Sequence, residues 1–152
     1  MNIYVRLIAH IAEAHSDVQF VYPMHFNPNV RTPVMGHLSG KPNVHLIEPL
    51  DYPYLIWLME KSFFVLTDSG GIQEEAPALG KPVLVMRHVT ERQEGIDAGT
   101  AKLIGTDYKA IIDNVELLLT DPVTYQSMAN AVNPYGDGTT SQQIVEILKE
   151  NL

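Results

Sequence analysis

Four short, unbroken apolar runs constrain the fold of this chain most: Val18 to Tyr22, Val44 to Ile47, Phe63 to Thr67 and Pro82 to Met86. A strand with one face in water alternates apolar and polar residues, whereas a strand covered on both faces needs no alternation. The runs therefore predict interior strands of a parallel sheet. Helical segments are expected between them, over Asn29 to Leu38, over Tyr54 to Lys61 with Asp51 as its N-cap and Pro53 in its first turn, and after Gly71. Ala101 to Ile104 reads as a fifth strand, followed by helices near Tyr108 to Leu119, Val123 to Ala129 and Ser141 to Asn151. Strands alternating with helices at this spacing indicate an α/β fold with a doubly wound parallel sheet. The chain opens on a helix, Ile3 to Ala14, with Ile3, Leu7, Ile8 and Ile11 on one face. Because a βαβ unit begins with its strand, the expectation is a piece cut from something longer. No repeat or linker divides residues 1–152, which read as a single domain.

Composition narrows the classes of function. With 45% hydrophobic residues in 152, the chain can build one core. It has no cysteine, which excludes disulfides and thiolate metal sites and fits a reducing compartment. No apolar run approaches the roughly 18 residues of a membrane span, and no secretory leader pattern opens the chain. The expectation is a cytoplasmic protein with no membrane partner. Ten Lys and Arg against 18 Asp and Glu give a formal charge of −8, the wrong sign for gripping a nucleic-acid backbone. A small anion is still compatible, since helix amino termini and one or two arginines make a local positive pocket. Six histidines without a close His-x-His pair give little support for a metal.

The stretch LTDSGGIQEEAPALGKPVLVMR, Leu66 to Arg87, carries the strongest functional signal. If Phe63 to Thr67 is a central strand, Asp68, Ser69, Gly70 and Gly71 form the turn at its carboxyl end, the edge where open α/β sheets bind ligands. Two glycines let a ligand approach the main chain, and the N–H groups of the following helix face an anion such as a diphosphate. Ser69 either caps that helix or offers its hydroxyl to a phosphate oxygen. Glu75, four residues after Gly71, lies about one turn deeper on nearly the same face, where a carboxylate can accept bonds from two ribose hydroxyls. The alternative is that Glu74 and Glu75 only complement the helix dipole, worth roughly 0.3–1 kcal/mol. Pro77 should bend or interrupt the helix within two turns. Arg87 and Arg92 follow the next strand and can clamp a diphosphate, or can pair with Glu91 and Glu94 in a solvated loop. His25 follows the first strand at the same edge, as a ligand group or a structural one, and His88 is similar. NPYGDG, Asn133 to Gly138, reads as a tight connection into the last helix.

Taken with TERQEGIDAGTAKLIGTD, IEPLDY and NPYGDG, the Leu66 to Arg87 stretch closely resembles the carboxyl-terminal half of the non-hydrolysing UDP-N-acetylglucosamine 2-epimerases. The resemblance covers nearly the whole chain. It implies a Rossmann-like UDP-binding domain, one half of a two-domain enzyme similar to GT-B glycosyltransferases, that interconverts UDP-GlcNAc and UDP-ManNAc. It further implies elimination of UDP to 2-acetamidoglucal and re-addition, with no nicotinamide and no metal, and a homodimeric parent enzyme. By the same resemblance Ser69, Gly70 and Gly71 match the phosphate-binding turn, Glu75 the ribose ligand, and Arg92 an arginine directed to the diphosphate-sugar region. His25 matches a histidine of an activating second UDP-GlcNAc site, and Arg87 fits the motif without an assigned contact. Leu55 stands where the family often carries a phenylalanine near the uracil, so apolar packing would replace stacking there. The family's arginine-rich opening segment and its amino-terminal domain with the catalytic carboxylates do not occur in these residues, so the chain alone is expected to bind weakly and turn nothing over. Alternatives are a hydrolysing 2-epimerase, the donor half of a GT-B glycosyltransferase, and a nucleotide-sensing module without catalysis.

Overall fold

Parallel pairing organises the chain, as seen in a computed structural model that describes residues 3–151. Strand β1 (Phe20–Pro23) pairs with β2 (Val44–Ile47), Phe20 opposite Val44, and β3 (Val65–Thr67) pairs with β4 (Val83–Val85), which pairs with β5 (Ala101–Leu103). All three ladders are parallel. The single expected sheet is therefore two hydrogen-bonded pieces, β1-β2 and β3-β4-β5, with no ladder between β1 and β3 among the described residues. The strands are only three or four residues long, and Pro23 brings no N–H to a ladder. The pieces nevertheless adjoin. Phe20 and Leu66 both pack against one core cluster. Within its own piece, each successive strand adds to the one before it, β1 to β2 and β3 through β4 to β5.

Strand β4 shows why its sequence does not alternate. Leu84 faces Leu7 and Ile11 of α1 (Ile3–Ala14), Ile111, Val115 and Leu118 of α6 (Tyr108–Thr120) and Met128 of α7 (Pro122–Ala129). Its neighbours Val83 and Val85 face Met59 of α3 (Tyr52–Lys61) and Ala76 of α4 (Ile72–Ala78). Both faces are covered, and each of these three side chains gains about 1.5–3 kcal/mol from leaving water. A third cluster joins Val5 and Ala12 of α1 to Val34 and Leu38 of α2 (Pro28–Leu38) and to Val44. Helices α1, α2, α6 and α7 thus cover one face, and α3 and α4 the other. Leu7 and Ile11 take the core role expected of them, whereas the side chain of Ile3 lies outside the described residues.

The ends of several elements differ from expectation for local reasons. β1 starts at Phe20 rather than Val18, because the Val18 N–H closes a turn onto His15 and its carbonyl accepts from Asn43 Nδ2. Phe63 does not enter β3. Its ring is half exposed and stacks on Tyr125 at 4.0 Å, and the Tyr125 hydroxyl donates to its carbonyl at 3.0 Å. Pro82 contributes to β4 only a carbonyl that accepts from Val65. α3 starts at Tyr52, with Asp51 at the N-cap position but making no side-chain cap bond. α4 ends at Ala78, one residue beyond Pro77, in line with an interruption inside two turns. The short helix α5 (Gln93–Asp97) was not expected at all. The last helix, α8 (Thr140–Glu150), buries no residue and leaves Ile144, Val145, Ile147 and Leu148 about half exposed. Among the described residues no helix is long and apolar enough to cross a membrane.

Candidate functional site

The carboxyl end of β3 carries the turn Asp68 to Gly71. Ser69 N–H donates to Thr67 Oγ1 at 3.0 Å, which folds the chain sharply out of the strand. Gly71 occupies the N-cap position of α4, and no side chain caps the helix, so Ser69 does not take the capping role. Gln73, Glu74 and Glu75 close the first turn onto the Gly70 and Gly71 carbonyls. The N–H groups of Gly70, Gly71 and Ile72 find no backbone acceptor among the described residues. Gly71 is exposed, and a Cβ there would meet nothing within 4 Å.

Both arginines reach this turn through one carboxylate. A Cβ added to Gly70 would lie 2.7 Å from Glu91 Oε1, so the Glu91 carboxylate sits directly on the glycine. Arg87 Nη1 lies 3.0 Å from Glu91 Oε2, and Arg92 Nη1 lies 3.8 Å from Glu91 Oε1. Its own main-chain N–H, more than the two guanidiniums, holds the Glu91 carboxyl below the usual carboxylate range. Arg92 Nε also donates to Glu74 Oε1, a contact that pushes the guanidinium further toward its charged form. The solvated-loop alternative is thus partly realised, since the arginines do pair with glutamates. Glu91 and Glu74 take that role, and Glu94 does not.

The two glutamates of the first turn part company here. Glu74 is engaged by Arg92, while Glu75, partly buried one turn into α4, forms no ion pair among the described residues. His25 is exposed on the loop after β1, its Nδ1 accepting from Asn27 N–H at 3.1 Å. Leu55 is half-buried on α3 and packs with Met59, Ala76 and Val83 on the α4 side of the sheet. No hydrogen bond or ion pair joins His25 or Leu55 to the turn. His88 instead braces the loop after β5, its Nε2 lying 2.9 Å from Thr106 Oγ1.

Three residues around the turn and Arg92, namely Gln73, Thr90 and Tyr135, carried no sequence signal of their roles. Gln73 is fully buried on α4 and bonds to both Ser69 and Thr90. Tyr135, in the NPYGDG turn, accepts from Gly95 N–H at 3.0 Å and donates to the Arg92 carbonyl at 3.3 Å. That motif does connect to α8, with Asn133 bonding to Gly136 and Tyr135 and with Gly136 and Gly138 at positive φ. Its tyrosine also reaches back 40 residues to Gly95. Two grooves on the described surface, lined by Arg6, His10, His37 and Lys41 and by Met24, Arg31, Met35 and Glu48, share no residue with this site.

Parallel strands covered by helices on both faces define a Rossmann-like domain of the GT-B-like class. The sequence model described as UDP-N-acetylglucosamine 2-epimerase matches residues 1–149, and the chain belongs to that family. It is 55% identical over 144 residues to the UDP-N-acetylglucosamine 2-epimerase of Escherichia coli K12, covering 95% of this chain and 38% of that protein. The Neisseria meningitidis UDP-GlcNAc 2-epimerase bound to UDP-GlcNAc superposes with a TM-score of 0.91 at 49% identity, covering 99% of this chain and 41% of that one. The S. aureus MnaA complex with UDP superposes at 0.90 with 45% identity, over 99% of this chain and 40% of that one. The chain therefore spans about two fifths of the length of these relatives.

Proposed function

We propose that residues 1–152 form the UDP-binding domain, the carboxyl-terminal half, of a non-hydrolysing UDP-N-acetylglucosamine 2-epimerase, an isomerase acting in the cytoplasm as a homodimer. The observation that carries this reading is the convergence of the Gly70–Gly71 turn, open at Gly71 and covered at Gly70 by the Glu91 carboxylate, with Arg87 and Arg92, beside a Glu75 that forms no ion pair among the described residues. The turn and Arg92 hold the diphosphate, Ser69 donates its hydroxyl to a phosphate oxygen, and Glu75 accepts from the ribose hydroxyls. Leu55 contributes apolar surface to the uracil side, and His25 faces a second nucleotide-sugar.

The chemistry follows from what the diphosphate is asked to do. Removal of the proton at C2 of the sugar and cleavage of the C1–O bond release UDP and leave 2-acetamidoglucal. Return of the same UDP oxygen to C1, with a proton delivered to the opposite face of C2, gives the epimer. Cleavage builds negative charge on the leaving diphosphate, and fixed N–H groups and guanidiniums aimed at it lower that barrier. The acid and base at C2 lie in parts of the enzyme beyond these residues.

Isothermal titration with UDP tests the site. The chain is expected to bind UDP, with Glu75→Ala and Ser69→Ala each weakening it about tenfold, the loss of roughly one charge-assisted hydrogen bond. Affinity unchanged by both substitutions removes the proposed site. Formation of UDP-ManNAc rather than stoichiometric free UDP by the enzyme carrying this domain separates the non-hydrolysing type from the hydrolysing one.

A further inference from the structure

Gln73 is 0% exposed on the inner face of α4, where a hydrophobic side chain would satisfy the core. A buried primary amide is costly unless its groups are paired, and here both ends are. Nε2 donates to the Ser69 carbonyl at 3.1 Å, and Oε1 accepts from Thr90 Oγ1 at 2.7 Å. The carbonyl can only accept, which fixes the amide nitrogen toward Ser69 and the oxygen toward Thr90. Having given its one proton to Gln73, Thr90 Oγ1 accepts from Arg92 N–H at 3.1 Å. Three hydrogen bonds in series thus run from the main chain of the glycine turn, through a buried amide and a hydroxyl, to the main chain of Arg92. The far side of Arg92 is held as well, its carbonyl accepting from the Tyr135 hydroxyl.

We propose that Thr90 and Gln73 are positioning residues that fix the separation between the glycine turn and Arg92, and through it the affinity for the diphosphate. This rests on the reading of that turn and Arg92 as the diphosphate site. Surface ion pairs do not suffice for the task. The Arg87–Glu91 and Arg92–Glu74 contacts join side chains that are 33% to 51% exposed, and pairs of that kind are weak, screened by salt and free to re-form with a ligand. The series is less open to both effects, because its three bonds are partly buried around the fully buried Gln73 amide. It fixes the backbone from which Arg92 projects while leaving the guanidinium free to exchange Glu74 for phosphate.

The test is a double-mutant cycle read by isothermal titration with UDP, on Thr90→Val, Thr90→Ser, Arg92→Ala and the Thr90→Val/Arg92→Ala pair, with thermal melts to check folding. Thr90→Val keeps the shape and removes the hydroxyl, so UDP binding should weaken about fivefold to tenfold, while Thr90→Ser stays within about twofold of the parent chain. With Arg92 already removed, Thr90→Val should cause no further loss. An equal fold-loss in both backgrounds, or no loss in either, overturns the proposal, because a merely structural hydroxyl would act independently of Arg92. If Thr90→Val does not fold, Tyr135→Phe takes its place in the same cycle with the same expectation. Loss of UDP binding in Glu75→Ala alongside normal binding in Thr90→Val sinks this inference alone; a parent chain that does not bind UDP sinks the site reading with it.

Discussion

Alanine at Gly95 offers a stability change whose sign depends on a residue 40 positions away. Gly95 is buried in α5, and a Cβ there would lie 2.7 Å from the Tyr135 hydroxyl oxygen, 3.4 Å from Cζ and 3.5 Å from Thr100 Oγ1. Only the first distance is prohibitive. The hydroxyl cannot swing away cheaply, since it is bonded to both Gly95 N–H and the Arg92 carbonyl. Overpacking of this kind costs about 1–3 kcal/mol. Against it stands the intrinsic preference of a helix for alanine over glycine, at most about 1 kcal/mol. Gly95→Ala should therefore destabilise the chain by about 1–2 kcal/mol. In a Tyr135→Phe background the offending oxygen is gone and the nearest atom is at ordinary contact distance. There the same substitution should be neutral or stabilise by about 0.5–1 kcal/mol. Urea unfolding of the four proteins, with m-values compared, measures both effects. Equal destabilisation in the two backgrounds would refute the packing of Tyr135 on α5.

Two further substitutions probe the frame. Asn43 is buried with its Nδ2 within 3.0 Å of the Ala12, His15 and Val18 carbonyls, and since an amide has two protons one of these three is shared; Asn43→Ala should cost about 2 kcal/mol by urea midpoint and loosen the α1–β1 turn in hydrogen exchange. Asp121 caps α7, and the Thr124 hydroxyl, then the Val123 N–H, hold its carboxyl below its ordinary value of 3.8, so its contribution is present above that value and lost as pH falls through the lower folded one. Asp121→Asn should accordingly flatten the acid limb of the stability curve below about pH 4 and leave its slope near neutrality unchanged, as measured by thermal melts across pH.

The strands were legible because burial on both faces writes an unbroken apolar run, and β2 occupies the very residues expected, Val44 to Ile47. Where such a run continued past the sheet, as at Phe63, hydrophobicity alone could not separate a strand residue from one stacked on a distant ring. α5 has five residues around a glycine and carries no periodicity to read. That the glycine turn and the two arginines come together was legible because they follow adjacent parallel strands, β3 and β4, and so leave the sheet at the same edge. Gln73, Thr90 and Tyr135 were not, because their roles arise from hydrogen bonds between segments 17 to 43 positions apart, a distance over which local pattern carries no information.

Amide NMR during a UDP titration tests the central claim most directly. The N–H resonances of Gly70, Gly71 and Ile72 are expected to move first and furthest, with the Arg92 side chain following as its contact with Glu74 is exchanged for phosphate. Should UDP shift other amides while those three stay fixed, the nucleotide is held elsewhere and the glycine turn is only the start of a helix.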